Sequence, residues 1–243
     1  MNVLQGLPSR LALCVVTVLA TGQQAVRADG GVIDKIYHPY VQPLERELEL
    51  RTSLEQGGNP RYVDRQTWRL GYGMALTDSI FGELYVIGER DRMNSFRVGE
   101  YEVELLWQLT EQGEYAADWG LLFELATADD PDRMEVAGTL LAETEWRQWT
   151  GTANLTAAYE FGDDVASEFE TALALQARYR LSMALEPALE FYSGEDILGV
   201  GPVLMGNYRT APGRQLHWEG GLILGLKDAT PDRTIRLLLE YEF

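Results

Sequence analysis

From Leu44 to Phe243 the chain alternates apolar and polar residues with a period of two, and few folds accommodate that pattern over 200 residues. In Leu44-Glu45-Arg46-Glu47-Leu48-Glu49-Leu50-Arg51-Thr52-Ser53-Leu54 one parity is mostly leucine, and the other reads Glu, Glu, Glu, Arg, Ser. A helix would mix the two sets around its surface, whereas a strand sends them to opposite faces. The same division recurs in Trp68, Leu70, Tyr72, Met74, Leu76, in Tyr101, Val103, Leu105, Trp107, Leu109, and at the end in Ile235, Leu237, Leu239, Tyr241, Phe243. Phe81 to Glu89 is the exception, with apolar residues on both parities, so its facing stays open.

About twelve such segments fit, at roughly 17 residues for each strand and its connection, where a membrane-crossing strand needs about 9 to 11. Turn chemistry separates them. Gln56 to Pro60, Asp91 to Ser95, Asp129 to Asp132, Gly162 to Asp164, Ser193 to Asp196 and Asp228 to Asp232 supply loops on one side. Five mostly tighter turns alternate with them: Thr77 to Ser79, Gln112 to Glu114, Gln148 to Gly151, the region of Leu181, and Ala211 to Gly213. This is the arithmetic of an all-β, antiparallel up-and-down sheet in one domain, 44–243, with both ends on the same side.

The first 28 residues read as an export signal. Arg10 precedes the apolar run Leu11 to Ala20, too short for a membrane-spanning helix, and Val26-Arg27-Ala28 suits cleavage after Ala28. Cys14, the one cysteine, lies inside that run behind Leu13, which does not suit lipid attachment, so the exported chain has neither disulfides nor thiol chemistry. The signal removes Arg10 and Arg27 and none of the 38 acidic residues from a chain whose formal charge is already -18. Such a charge repels phosphate backbones and excludes nucleic acid as a partner. Residues 29–43 carry Pro39 and Pro43 and no clean period, and read as a periplasmic arm or a cap on the barrel mouth.

Alternation alone leaves two architectures open, because a soluble sandwich would bury the leucines while a membrane barrel turns them to lipid. The aromatic residues favour the barrel. With the first strand running away from the periplasm, Trp107, Trp119, Trp146, Tyr179, Tyr208, Trp218, Tyr241 and Phe243 fall near one set of strand ends. Trp68, Phe96, Phe161, Phe169 and Phe191 fall near the other, which is the girdle pattern of two lipid interfaces.

The last strand ends on Phe243 after Tyr241, with Arg236 at the polar position and Leu238 where glycine is usual. In this the chain resembles Gram-negative outer-membrane β-barrel proteins, in which such an ending is implied to guide assembly, with Tyr241 and Phe243 as the signal here. The resemblance implies an integral outer-membrane location, contact with membrane lipid and lipopolysaccharide, and handling by a barrel-assembly machinery.

If leucine faces lipid, the opposite parity lines the interior. The candidate cation-attracting set is Glu45, Glu47, Glu49, Glu100, Glu102, Glu104, Glu124, Glu143, Glu160, Glu186, Glu190, Glu219 and Glu240, with Glu135, Glu145, Glu170 and Glu242 on the same parity. Arg51, Arg69, Arg178, Arg180, Arg209 and Arg236 are the counter-charges, too few to pair every carboxylate. Confined acids without partners attract cations and repel anions, which points to a small cation-preferring channel or uptake pore. The alternative is a barrel filled by its own side chains and serving as a structural or interaction protein. Inward glycines, among them Gly71 and Gly120, either leave a passage or make room for bulky partners across the lumen.

Catalysis and metal binding have little to build on, and neither enzyme nor cofactor is expected. His38 lies in the arm, and His217 stands two residues before Glu219 with no nucleophile on the same face, which leaves a barrel hydrolase the weakest reading. Asp129, Asp130 and Asp132 could hold a hard cation in one turn, but they lack the glycine and distal glutamate of a dedicated calcium loop, and a solvated acidic turn explains them as well. Tyr37, Tyr40 and Val41 beside the prolines could dock a periplasmic partner in extended form or cap the barrel base.

Overall fold

The structure is a computed structural model in which residues 33–57, 64–91, 96–129, 132–163 and 166–243 are described. The expected export signal with its cleavage site, Cys14 and residues 29–32 lie outside these residues, as do Asp130 and the side chains of Asp129 and Asp132 in the acidic turn. Twelve strands follow one another: β1 Arg46–Gln56, β2 Arg65–Ala75, β3 Ile80–Asp91, β4 Arg97–Gln108, β5 Asp118–Asp129, β6 Asp132–Trp146, β7 Trp149–Gly162, β8 Glu168–Tyr179, β9 Glu186–Ser193, β10 Leu198–Ala211, β11 Arg214–Gly225 and β12 Arg233–Glu242. Each pairs antiparallel with its neighbour in sequence, and β12 pairs back with β1, from Glu47 opposite Glu242 to Gln56 opposite Arg233. The sheet is a closed up-and-down barrel with no free edge.

The alternation takes its meaning from closure. Leu48 is 48% exposed on the outer wall, while Glu47 and Glu49 on either side are 5% and 1% exposed inside. A sandwich would reverse this, whereas an outward apolar wall around a polar interior is the pattern of a membrane barrel. Trp107, Trp119, Trp146, Tyr208 and Phe243 are exposed at the end where β1 begins and β12 stops, called the base below. Phe96 and Phe169 are exposed at the opposite, loop end. At the base, Trp149 packs edge-on to Tyr179 with centroids 5.1 Å apart, and Tyr241 stacks on Phe243 at 5.9 Å.

Strand β3 resolves into the same rule. Leu84 and Val86 face out, and Tyr85 and Ile87 are buried inside. Its mixed pattern arose because some interior positions are apolar. Leu238, which stands where the terminal signature has glycine, is another of them and is 1% exposed. One connection departs from the expected rhythm: the base turn between β4 and β5 is the long stretch 109–117, where the Asp118 carboxylate accepts the Gly113 amide at 2.9 Å.

Candidate functional site

The interior is crossed by the chain's own N-terminal segment. Ile33 and Ile36 lie in a buried apolar cluster with Tyr192, Val203, Met205 and Ile223 on the inner wall. Between them the Asp34 carboxylate accepts Arg51 Nη1 at 3.0 Å and lies 3.5 Å from Arg69 Nε, while the Tyr192 hydroxyl donates to the Asp34 carbonyl at 2.7 Å. Burial opposes the charge on Asp34, but Arg51, Arg69 and Arg236 outweigh it and hold the carboxyl below its usual range.

Lower down, Asn154 of β7 clasps the backbone of Tyr37, accepting its amide at 2.8 Å and donating to its carbonyl at 2.9 Å, as a neighbouring strand would. The Tyr37 hydroxyl donates to Glu104 at 2.7 Å and accepts from Arg51 at 3.0 Å. His38 pairs with Glu143, Tyr40 donates to Asp118 at 2.8 Å, and the Val41 amide donates to Gln108 at 2.8 Å. At the base the chain reverses through Leu44, whose φ of 68° is unusual for a side-chain-bearing residue, and enters β1. The strap 33–43 therefore runs inside the lumen from the loop half to the base, antiparallel to β1.

The inward glycines make room for these groups. A Cβ on Gly71 would meet the Tyr85 ring at 2.3 Å, and one on Gly120 would meet Pro39 at 3.0 Å. The space beside Gly71 is taken by its neighbour on the adjacent strand, Tyr85, and that beside Gly120 by Pro39 of the strap.

The strap divides the interior in two. The loop-end cavity, about 150 Å³, is bordered by six acidic residues and four permanent cations, including the Arg69–Glu102 pair at 2.9 Å. The base cavity, about 390 Å³, is bordered by ten glutamates against Lys35, Arg178 and Arg180, with His38 and His217 besides. Lys35 and Tyr37 are the two residues that border both.

Lys35 is the chemical centre of this partition. Its ammonium lies 2.6 Å from Glu49 and 3.2 Å from Glu240, and 5.3 Å from the centre of the Tyr37 ring. Burial opposes its charge, yet Glu49, Glu240, Glu83 and Glu47 together hold its pKa well above the usual lysine value. Carboxylate oxygens of Glu47, Glu49 and Glu83 lie within 4.8 Å of one another, as do those of Glu102, Glu104 and Glu124.

The candidate glutamates therefore divide by partner. Glu102 and Glu104 are bonded to Arg69 and to Arg51 with Tyr37, while Glu190 and Glu219 share Arg236 at 2.5 and 2.8 Å. Glu143 is held by His38 and by Thr152 at 2.9 Å. Glu100 and Glu160 lie beside Arg133 at 3.8 and 3.7 Å, and Glu124 accepts from Thr139 at 3.4 Å. Glu45, Glu47, Glu186 and Glu240 border the base cavity, with Glu186 3.4 Å from Arg178.

Arg209 is exposed at the base end of β10, opposite Gln215 and next to the register shift between Arg209 and Ala211. Arg180 pairs with Glu145 at 2.9 Å on the rim. His217 bridges Asn207 at 3.0 Å and Glu219 at 3.1 Å as a lumen hydrogen-bonding group.

Sequence reasoning missed Asp34, Lys35, Glu83, Tyr85 and Asn154. Two signals pointed toward them. Lys35 is one of two lysines in a chain that otherwise uses arginine, and apolar residues such as Val203, Met205 and Ile223 interrupt the polar parity where Ile33 and Ile36 dock.

No family model matches the sequence, and no curated protein resembles it. Solved structures do. The COG4313 outer membrane channel from Pseudomonas putida F1 superposes with a TM-score of 0.52 at 14% identity, covering 89% of this chain and 99% of that one. The β domain of the Bordetella autotransporter BrkA gives 0.52 at 13% identity, over 82% and 99% of the two chains. The NanC porin gives 0.51 at 10%, over 81% and 98%. The chain has the outer-membrane β-barrel fold. At these identities the likeness extends to architecture and no further.

Proposed function

We propose that the protein is an integral outer-membrane channel for small cations, entered from the base through an acidic vestibule and narrowed at mid-height by the strap. The carrying observation is the base cavity, in which ten glutamates face three permanent cations around about 390 Å³ of space. A confined excess of carboxylates concentrates cations and excludes anions before any solute meets the constriction. The porin and channel architecture of the structural neighbours supports a conduit. Outer-membrane lipid and lipopolysaccharide surround the leucine wall in this reading, and the Tyr241 and Phe243 ending serves barrel assembly.

A second reading rests on the strap itself, whose bonds to Asn154, Glu104, Glu143, Asp118 and Gln108 fill the middle of the barrel. Such a barrel would be a scaffold and not a conduit. The same bonds occupy Tyr37, Tyr40 and Val41 inside the wall, so the strap is proposed as a lumen element in place of a periplasmic docking arm.

The deciding test is planar-bilayer recording of the refolded chain, freed of its expected export signal, under a salt gradient. A small current with a reversal potential of cation-selective sign supports the channel. Silence from verified folded protein, in which the strap has also been loosened, supports the scaffold.

A further inference from the structure

The strap places a primary ammonium where a permeating cation would have to pass. Lys35 and Tyr37 stand between the base cavity and the loop-end cavity and border both. The surroundings of the Lys35 ammonium are specific to that group. Two carboxylates contact it at 2.6 and 3.2 Å, two more stand behind them, and an aromatic face lies 5.3 Å away.

A compact ammonium with three donors suits this seat better than a planar guanidinium. The chain agrees, since it holds 18 arginines but spends one of its two lysines here. Glu49 is shared with the neighbouring Arg51, whose Nε lies 2.6 Å from it while the Nη groups reach Asp34 and Glu104, and Lys35 alone bridges Glu49 to Glu240.

We propose that the cage of Glu47, Glu49, Glu83 and Glu240 is a binding site for the terminal ammonium of soluble alkylamines, with Lys35 as its tethered internal competitor. The inference rests on the channel reading for its biological use, and deepens it by naming the solute class. The binding itself requires only the folded barrel. An alkyl diamine matches the site along its length: one ammonium replaces Lys35, the methylene chain runs beside Tyr37 and Phe81, and the second ammonium remains among the base glutamates.

The test is equilibrium binding of 1,5-diaminopentane to the refolded barrel in detergent, by titration calorimetry, with folding verified by heat-modifiable gel mobility. Removing the competitor in Lys35→Gln is expected to tighten binding at least tenfold over the unaltered chain. Adding Glu83→Gln to that variant is expected to reverse the gain.

Tetramethylammonium, which has charge but no donor, is expected not to compete. Equal affinity in the unaltered chain and Lys35→Gln overturns the proposal, and so does equal competition by tetramethylammonium. Stronger binding of magnesium than of the diamine assigns the cage to divalent cations and overturns it as well. If Lys35→Gln does not fold, Lys35→Met serves as the competitor-free variant. Amine binding without conductance defeats the channel reading and leaves the site standing, whereas conductance without amine binding does the opposite.

Discussion

Asn154 and Tyr37, separated by 117 residues in sequence, exchange two hydrogen bonds of 2.8 and 2.9 Å between one side-chain amide and one peptide unit. The pair treats the strap as a partial thirteenth strand, held from inside the wall. Because both groups lie within the barrel, losing Asn154 leaves the Tyr37 amide and carbonyl without their partner. Asn154→Ala is expected to weaken strap docking by about 2 kcal/mol while the wall remains closed. Proteolysis near Tyr37 in the folded barrel checks this, and an unchanged cleavage rate counts against the clasp.

The apolar anchor acts independently. Ile36 is 1% exposed among Val203, Met205 and Ile223, so Ile36→Ala is expected to cost about 2 to 4 kcal/mol of docking energy. No cysteine follows Cys14, so in a chain without residues 1–28 a thiol introduced in Ile36→Cys reports directly on the anchor. It should react with maleimide far more slowly than the same reagent reacts with Leu44→Cys, since Leu44 is exposed at the base turn. Equal rates would mean the anchor is not seated.

Selectivity should reside in the base cavity and not at every inward glutamate. Glu102 is bonded to Arg69 by both oxygens at 2.9 Å, whereas Glu242 borders the base cavity and accepts from the neutral Gln215. Glu242→Gln combined with Glu186→Gln is expected to shift the reversal potential toward zero more than Glu102→Gln does. The reverse order would move the selective region to the loop half.

Glu45, at the entrance to β1, has its pKa raised to about 8 by burial, with Glu242 and Glu240 adding repulsion. Between the unfolded value of about 4.3 and this folded value, the folded barrel holds a proton that the unfolded chain has released. Stability therefore falls as pH rises through that window, and the loss levels off above pH 8. Glu45→Gln is expected to flatten the slope in urea titrations of the refolded barrel between pH 5 and pH 9. An unaltered slope would show that Glu45 titrates normally.

The wall was legible in the sequence because lipid and lumen impose opposite polarity on alternate residues, and Leu48 between Glu47 and Glu49 states that rule locally. The site was legible only as a charge excess. Which glutamates keep unspent charge depends on partners across the barrel, such as Arg236 between Glu190 and Glu219, and period-two reasoning has no access to cross-lumen distance. The strap was hidden for a related reason. Residues 33–43 bond mainly to side chains scattered over the strands and so carry no period of their own, while their receptors Val203, Met205 and Ile223 look like irregularities in strands that otherwise alternate.

Single-channel recording of the unaltered barrel beside the Asn154→Ala, Ile36→Ala double variant, at matched protein density under a salt gradient, tests the central claim most directly. An acidic passage narrowed by its own strap predicts a small cation-selective current that rises several-fold in the double variant and keeps its selectivity. An anion-selective current, or a current that the loosened strap leaves unchanged, would contradict it.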